Sequence, residues 1–167
     1  MNGQNLTQWL TLAANGGVLV GLVLVLLQLQ QNRDLMRARV RHDLAQGIVE
    51  LLAAVASNPQ LAGVLRRGAL GEPLTADERF QFEFRTNALF RYWEDVHYQY
   101  RHGLYDQVEY ASQKAAFKAT LASNVGLVAY WRQVRPLYSP RFAAELDGLL
   151  PVTRAEAAQE LPALAGE

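Results

Sequence analysis

From Val18 to Leu27 every residue is apolar or glycine: Val18, Leu19, Val20, Gly21, Leu22, Val23, Leu24, Val25, Leu26 and Leu27. Such a run makes nearly three helical turns without a polar face. A surface helix of a soluble domain shows a polar stripe within that length. This segment therefore needs apolar surroundings on every side. The permissive stretch extends from Leu12 to Leu29, interrupted by Asn15 and Gln28. At ~1.5 Å per residue it reaches about 27 Å, close to the ~30 Å hydrocarbon core of a bilayer. The Leu and Val residues between 18 and 29 supply roughly −3 to −6 kcal/mol of insertion free energy. Asn15, Gln28 and the glycines oppose part of it. Trp9 lies near one end, where an interfacial ring would sit.

The segment reads as a single retained transmembrane helix, against two rivals. A secretory signal needs a basic start and a small-residue cleavage site. No Lys or Arg precedes the run, and Gln28-Leu29-Gln30-Gln31 follows it. The other rival is the buried core helix of a soluble protein.

Charge divides the chain at the same place. The 16 basic and 16 acidic side chains all lie between Arg33 and Glu167, and residues 1–32 carry none. This predicts a membrane-spanning segment over 1–32, a helical bundle over 33–150 and a tail over 151–167. The zero net charge argues against a dedicated nucleic-acid binder, which would carry a basic excess. The absence of cysteine excludes disulfides, thiolate metal sites and cysteine nucleophiles.

Residues 33–150 follow a helical period throughout, so the fold class is all-α. Leu44, Ile48, Leu51, Leu52 and Val55 fall on one face, and no proline or turn cluster separates Leu29 from Ala56. The transmembrane helix is therefore expected to continue into the bundle. Asn58-Pro59 starts a short helix ending near Gly68 or Gly71. Thr75-Ala76-Asp77-Glu78 has capping-box spacing and opens a long helix that stops at Gly103. Its clearest buried stripe is Leu89, Trp93, Val96 and Tyr100. Asp106 caps a helix ending near Asn124 and Gly126, and another covers Leu127 to about Arg135. Ser139-Pro140 begins a last one carrying Phe142, Leu146 and Leu149.

Arg33, Arg37, Arg39 and Arg41 follow the apolar run with only Asp34 opposing nearby. The positive-inside rule places that side, and hence the bundle, in the cytoplasm, with the N-terminus outside. These four arginines are also the candidate contacts to anionic lipid head groups. Gly17 and Gly21 form a G-x-x-x-G pair that would let another helix approach closely.

Four stretches resemble a known family. They are Leu26-Leu27-Gln28-Leu29-Gln30-Gln31-Asn32-Arg33; Asn58-Pro59-Gln60-Leu61; Leu89-Phe90-Arg91-Tyr92-Trp93-Glu94-Asp95 through Tyr98-Gln99-Tyr100-Arg101 to Gly103-Leu104; and Tyr138-Ser139-Pro140-Arg141-Phe142. The chain over roughly 18–150 is similar to a widespread family of uncharacterised bacterial proteins. The resemblance implies an N-terminal transmembrane helix, a cytoplasmic helical domain and the bacterial inner membrane, and it brings no activity.

Two constellations carry chemistry. Phe80, Phe82, Phe84, Phe90, Tyr92, Trp93, Tyr98 and Tyr100 crowd one helix. They read either as a central helix touching neighbours on several sides or as a partner-binding patch, with Tyr92, Tyr98, Arg91 and Arg101 as the anchors. Arg79, Glu83, Arg85 and Glu94 read as a solvated face. Glu94 and His97 make an E-x-x-H pair, the spacing used by ferritin-like metal sites. A second E-x-x-H is lacking, and His42 is the nearest addition to the set. Nucleotide-binding loops and nucleophile elbows are also lacking. The expectation is a membrane-anchored, non-enzymatic interaction protein without a cofactor. It would be an accessory or structural subunit of a larger membrane assembly, such as a respiratory or photosynthetic complex, or would self-associate. The alternative is a metal- or cofactor-binding helical-bundle enzyme.

Overall fold

A computed structural model describes residues 3–151, with no strand among them. The helices are α1 (Gly3–Ala56), α2 (Pro59–Ala69), α3 (Ala76–Arg101), α4 (Gln107–Ser123), α5 (Val125–Val134) and α6 (Pro140–Asp147), with a 3₁₀ turn at Arg135–Leu137 before α6. The all-α class is as the periodicity requires. Apart from Pro151, the tail expected over 151–167 lies outside the described residues.

The chain divides into two compact units, one up to His42 and one from Asp43. The first holds most of α1. One helix here is long and apolar enough to cross a membrane, and none of its apolar window is buried within the protein. Val18 is 70% exposed and Val25 49%. The buried-core reading finds no support in this unit, where the window has no buried residue.

The second unit comprises the end of α1 and α2–α6. Its helices begin and end where local chemistry dictates. The Asn58 side chain accepts from the Leu61 N–H at 3.0 Å, and Pro59 needs no partner at the first position. Thr75 and Glu78 form the expected capping box. The Asp106 carboxylate accepts from the Val108 N–H at 2.8 Å. Gly71 and Gly103 take φ of 74° and 70°, the left-handed region that lets a helix stop there. Ser139 precedes Pro140, the first residue of α6, as expected. Its side chain makes no cap bond to α6.

The core is aromatic and centred on α3. Phe90, fully buried, packs edge-on against Trp93 and Trp131 at 5.6 and 5.2 Å, and meets Tyr138 at 6.3 Å. Trp131 in turn packs against Phe142 of α6 at 5.8 Å and donates its indole N–H to Asp147 at 2.9 Å. Full burial of one such side chain contributes about 1.5–3 kcal/mol. Val96, Leu121 and Leu146 complete the interior. Of the expected α3 stripe, Trp93 and Val96 are buried, while Leu89 and Tyr100 are half-buried. On α1, Leu44 is buried and Ile48, Leu51 and Val55 are half-buried, but Leu52 is 62% exposed.

Gly68 lies at the expected end of α2, one residue before Ala69, and Gly126 just past the expected end of α4, as the second residue of α5, and the two meet at a close crossing. A methyl group at Gly126 would overlap the Gly68 carbonyl oxygen and lie 2.9 Å from its carbon. One at Gly68 would come within 2.7 Å of Phe82 Cγ. The α2–α5 contact exists because Gly126 has no side chain, and the close approach of Phe82 on α3 to α2 because Gly68 has none. Gly126→Ala is expected to destabilise the bundle by about 2 kcal/mol, since the obstacle is backbone that cannot rotate away. Gly63→Ala, with nothing within 4 Å, is expected to be neutral or to stabilise by up to ~1 kcal/mol. Chemical denaturation of the two variants checks this.

Candidate functional site

α3 presents a polar groove of about 250 Å³ lined by Arg91, Glu94, Asp95, His97, Tyr98 and Arg101, with Ser139 closing it from the start of α6. Helical spacing produces the grouping. Residues 91, 94, 98 and 101 follow the i, i+3, i+4 rule and share one face. Ser139 reaches the groove because the 3₁₀ turn brings the chain back onto α3.

Glu94 is the tie between these elements. Its Oε1 accepts the Ser139 N–H at 2.9 Å, and its Oε2 accepts from Arg91 at 2.7 Å. Partial burial opposes its ionisation, but the Ser139 and Arg91 donors outweigh that and hold the carboxyl below the usual carboxylate range. Arg91 also donates to the Leu137 carbonyl at 3.1 Å and lies 4.0 Å over the Tyr138 ring. Neither residue belongs to a freely solvated face. Arg85 departs from that expectation as well, donating to the Leu51 carbonyl and linking α3 to α1.

Behind the groove lies a second polar set. Tyr110 of α4 donates to Glu145 of α6 at 3.1 Å, and Lys114 pairs with the same oxygen at 2.7 Å. His97 is buried, with its ring 6.3 Å from Tyr110 and 5.8 Å from Phe142. Burial pushes the His97 proton affinity down, opposed by Glu145 and Glu94 and aided by Arg101 and Lys114.

The anticipated residues separate. Arg91, Tyr98 and Arg101 share the groove, together with Glu94 and His97. Tyr92 does not line it and is half-buried, and burial chiefly, with Tyr105 and Asp95 nearby, raises its phenol. Tyr98 is 52% exposed and stacks on His102 at 4.2 Å. Gly17 and Gly21 belong to the first unit, with open space where a side chain would be. Arg33, Arg37, Arg39 and Arg41 are exposed in that unit, which also contains His42. No group of three or more metal-ligating acids and histidines occurs among the described residues. Both Glu94 oxygens already serve the fold.

The aromatic helix divides along its phase. Phe82, Phe90 and Trp93 are core, whereas Phe80 and Phe84 are 61% and 65% exposed and pair at 4.5 Å. Each lies two residues, about 200°, from Phe82. That spacing was available in the sequence as a sign of outward-facing rings. The roles of Ser139 and Glu145 had no such local sign.

Comparison with known proteins finds no matching family model, no matching curated protein and no matching solved structure.

The Glu94 and Glu145 carboxyls both ionise more readily in the fold than in the open chain. Their stabilisation is present above the ordinary carboxyl value of 4.5 and is lost as pH falls through their lower folded values. His97, also lowered, adds a loss that begins below its ordinary 6.5, because the unfolded chain takes up the proton first. The melting temperature should therefore decline gently below pH 6.5 and steeply below 4.5. Glu94→Gln should lower it at pH 7 and flatten the acid limb, as thermal melts across pH would show.

Proposed function

We propose that this chain is a membrane-anchored, non-enzymatic interaction protein, an accessory or structural subunit of a larger assembly in a bacterial inner membrane. The apolar part of α1 is the anchor, with the N-terminus outside and the bundle in the cytoplasm. The observation that carries the reading is the uncovered run from Val18 to Leu29. An apolar surface of that extent on an unaccompanied soluble helix is strongly unfavourable in water. A lipid core removes the cost without requiring any other part of the chain. Arg33, Arg37, Arg39 and Arg41, all exposed, supply the cytoplasmic charge and the headgroup contacts. Gly17 and Gly21 leave room for a neighbouring helix within the membrane.

The bundle supports an interaction role. Phe80 and Phe84 leave apolar surface outside its core, and the groove beside α3 keeps Arg101 and Tyr98 exposed. Metal chemistry at E-x-x-H is disfavoured by the two bonds that Glu94 already makes.

Arginine at both Leu22 and Leu26 costs about 5–7 kcal/mol of insertion, at ~2.5–3.5 kcal/mol each, which exceeds what the segment supplies. The double variant should leave the carbonate-resistant membrane fraction, where the parent chain should be found. Because the chain has no cysteine, single reporters give its orientation. Asn5→Cys should react with a membrane-impermeant maleimide in intact cells and Gln81→Cys should react only after lysis. Purification in mild detergent tests the subunit role. Co-purification with a membrane partner, or a defined homo-oligomer, is expected, and a monodisperse monomer with no partner overturns the reading.

A further inference from the structure

The groove beside α3 has a supply of hydrogen-bond donors that the fold does not consume. His97 is 7% exposed, yet its imidazole takes part in no hydrogen bond within the described structure. No buried side-chain nitrogen or oxygen lacks a partner among the described residues. Together these facts place an imidazole nitrogen open to the groove that His97 lines, where its partner must come from outside the fold. Arg101 lies four residues on, on the same face of α3, exposed and in no ion pair among the described residues. Tyr98, with its ring on His102, is exposed and also lines the groove.

The charges around His97 define what could occupy the space. On α3 these are Glu94, bonded to Arg91, and Arg101; on α4 they are Lys114 and the Tyr110 phenol; on α6 the group is Glu145, bonded to both α4 residues. With Asp95, which also lines the groove and accepts from the neutral Gln99 amide at 3.1 Å, three carboxylates meet three cations, and Arg101 is the one of these cations in no ion pair among the described residues. A cation would meet N–H donors and that guanidinium. A dianion would add two negative charges beside Glu94, Asp95 and Glu145. A single negative charge with two acceptor oxygens fits the two donors and adds the least repulsion.

We propose that this groove binds a carboxylate, one oxygen on the His97 imidazole and the other on the Arg101 guanidinium, with the Tyr98 hydroxyl at its edge. The carboxylate belongs either to a free organic acid or to an acidic side chain of another polypeptide. The inference goes beyond the anchored-subunit reading, because the groove lies wholly in the second unit and its chemistry does not depend on where α1 resides. A bound carboxylate adds negative charge beside His97 and raises its proton affinity. Binding therefore takes up a proton and strengthens as pH falls toward the lowered value of the free His97, until Glu94 and Glu145 begin to protonate.

The test is imidazole NMR on the full chain in detergent micelles, with the His97 signals assigned by comparison with His97→Gln and His42 as the internal control. Sodium acetate, sodium phosphate and a tetraglutamate peptide are the probes, against sodium chloride at matched ionic strength. Acetate should shift the His97 signals saturably, raise their titration midpoint and leave His42 unmoved. Arg101→Gln should weaken acetate binding at least tenfold with unchanged helical circular dichroism. Should that variant lose helicity, the acetate-dependent titration of His97 in the parent chain decides the matter alone. Peptide binding at least tenfold tighter than acetate supports a polypeptide source, and equal binding supports a free acid. Equal shifts in chloride, unaltered binding by a folded Arg101→Gln, or tighter binding of phosphate than acetate overturns the proposal.

Discussion

The hydrophobic effect sets the governing constraint on this protein. The segment Val18–Leu27 has no polar side, and none of it is buried in its own unit. Its backbone is satisfied internally by the helix, so the remaining demand is an apolar environment around the side chains. A bilayer meets that demand over a length of about 27 Å, and the arginines beyond it mark where water begins on our reading. On that reading the segment needs nothing from the bundle except a covalent connection.

The bundle meets the opposite demand, since it must cover its own apolar surface. It does so around α3, whose Phe90 touches rings from α3 itself, from α5 and from the segment before α6. Small size makes such a domain dependent on a few large side chains. Polar ties then fix what packing leaves free. Glu94 holds the chain entering α6, Arg85 holds the end of α1, and Asp147 takes both the Trp131 indole and Arg135 at 2.9 and 2.7 Å. These ties are partly exposed, so each contributes modestly to stability while setting the register between elements. The groove beside α3 is a by-product of one of them, because Ser139 docks on Glu94 and so closes the space above His97.

Much of this was legible beforehand because the signals are local. A helix cap needs a side chain within three residues of the N–H groups it satisfies, which is why Asn58, Thr75 and Asp106 announced α2, α3 and α4. The all-apolar run announced α1 for the same reason. What was not legible has the opposite cause. The helix ends near Gly68 and Gly126 were legible, but the need for glycine there was not, because Gly126 meets the Gly68 carbonyl and Gly68 meets the Phe82 ring. Ser139-Pro140 does begin α6, but nothing local showed that the Ser139 amide would be taken by a residue 45 positions earlier. Glu94 looked like half of a metal site or part of a wet face, because its partners are visible only once α6 is in place.

Taken alone, the order of residues determined the helical class, the positions of most helix ends and the division between an uncharged lead and a charged body. Each depends on neighbours within one or two turns, and such interactions need no knowledge of the rest of the chain. Tertiary structure decided which aromatic rings are core, why two glycines are required, and that Arg91, Glu94, His97, Tyr98 and Arg101 share one groove with Ser139. Those outcomes depend on backbones and charges far apart in sequence, and only packing around Phe90 brings them within reach of one another.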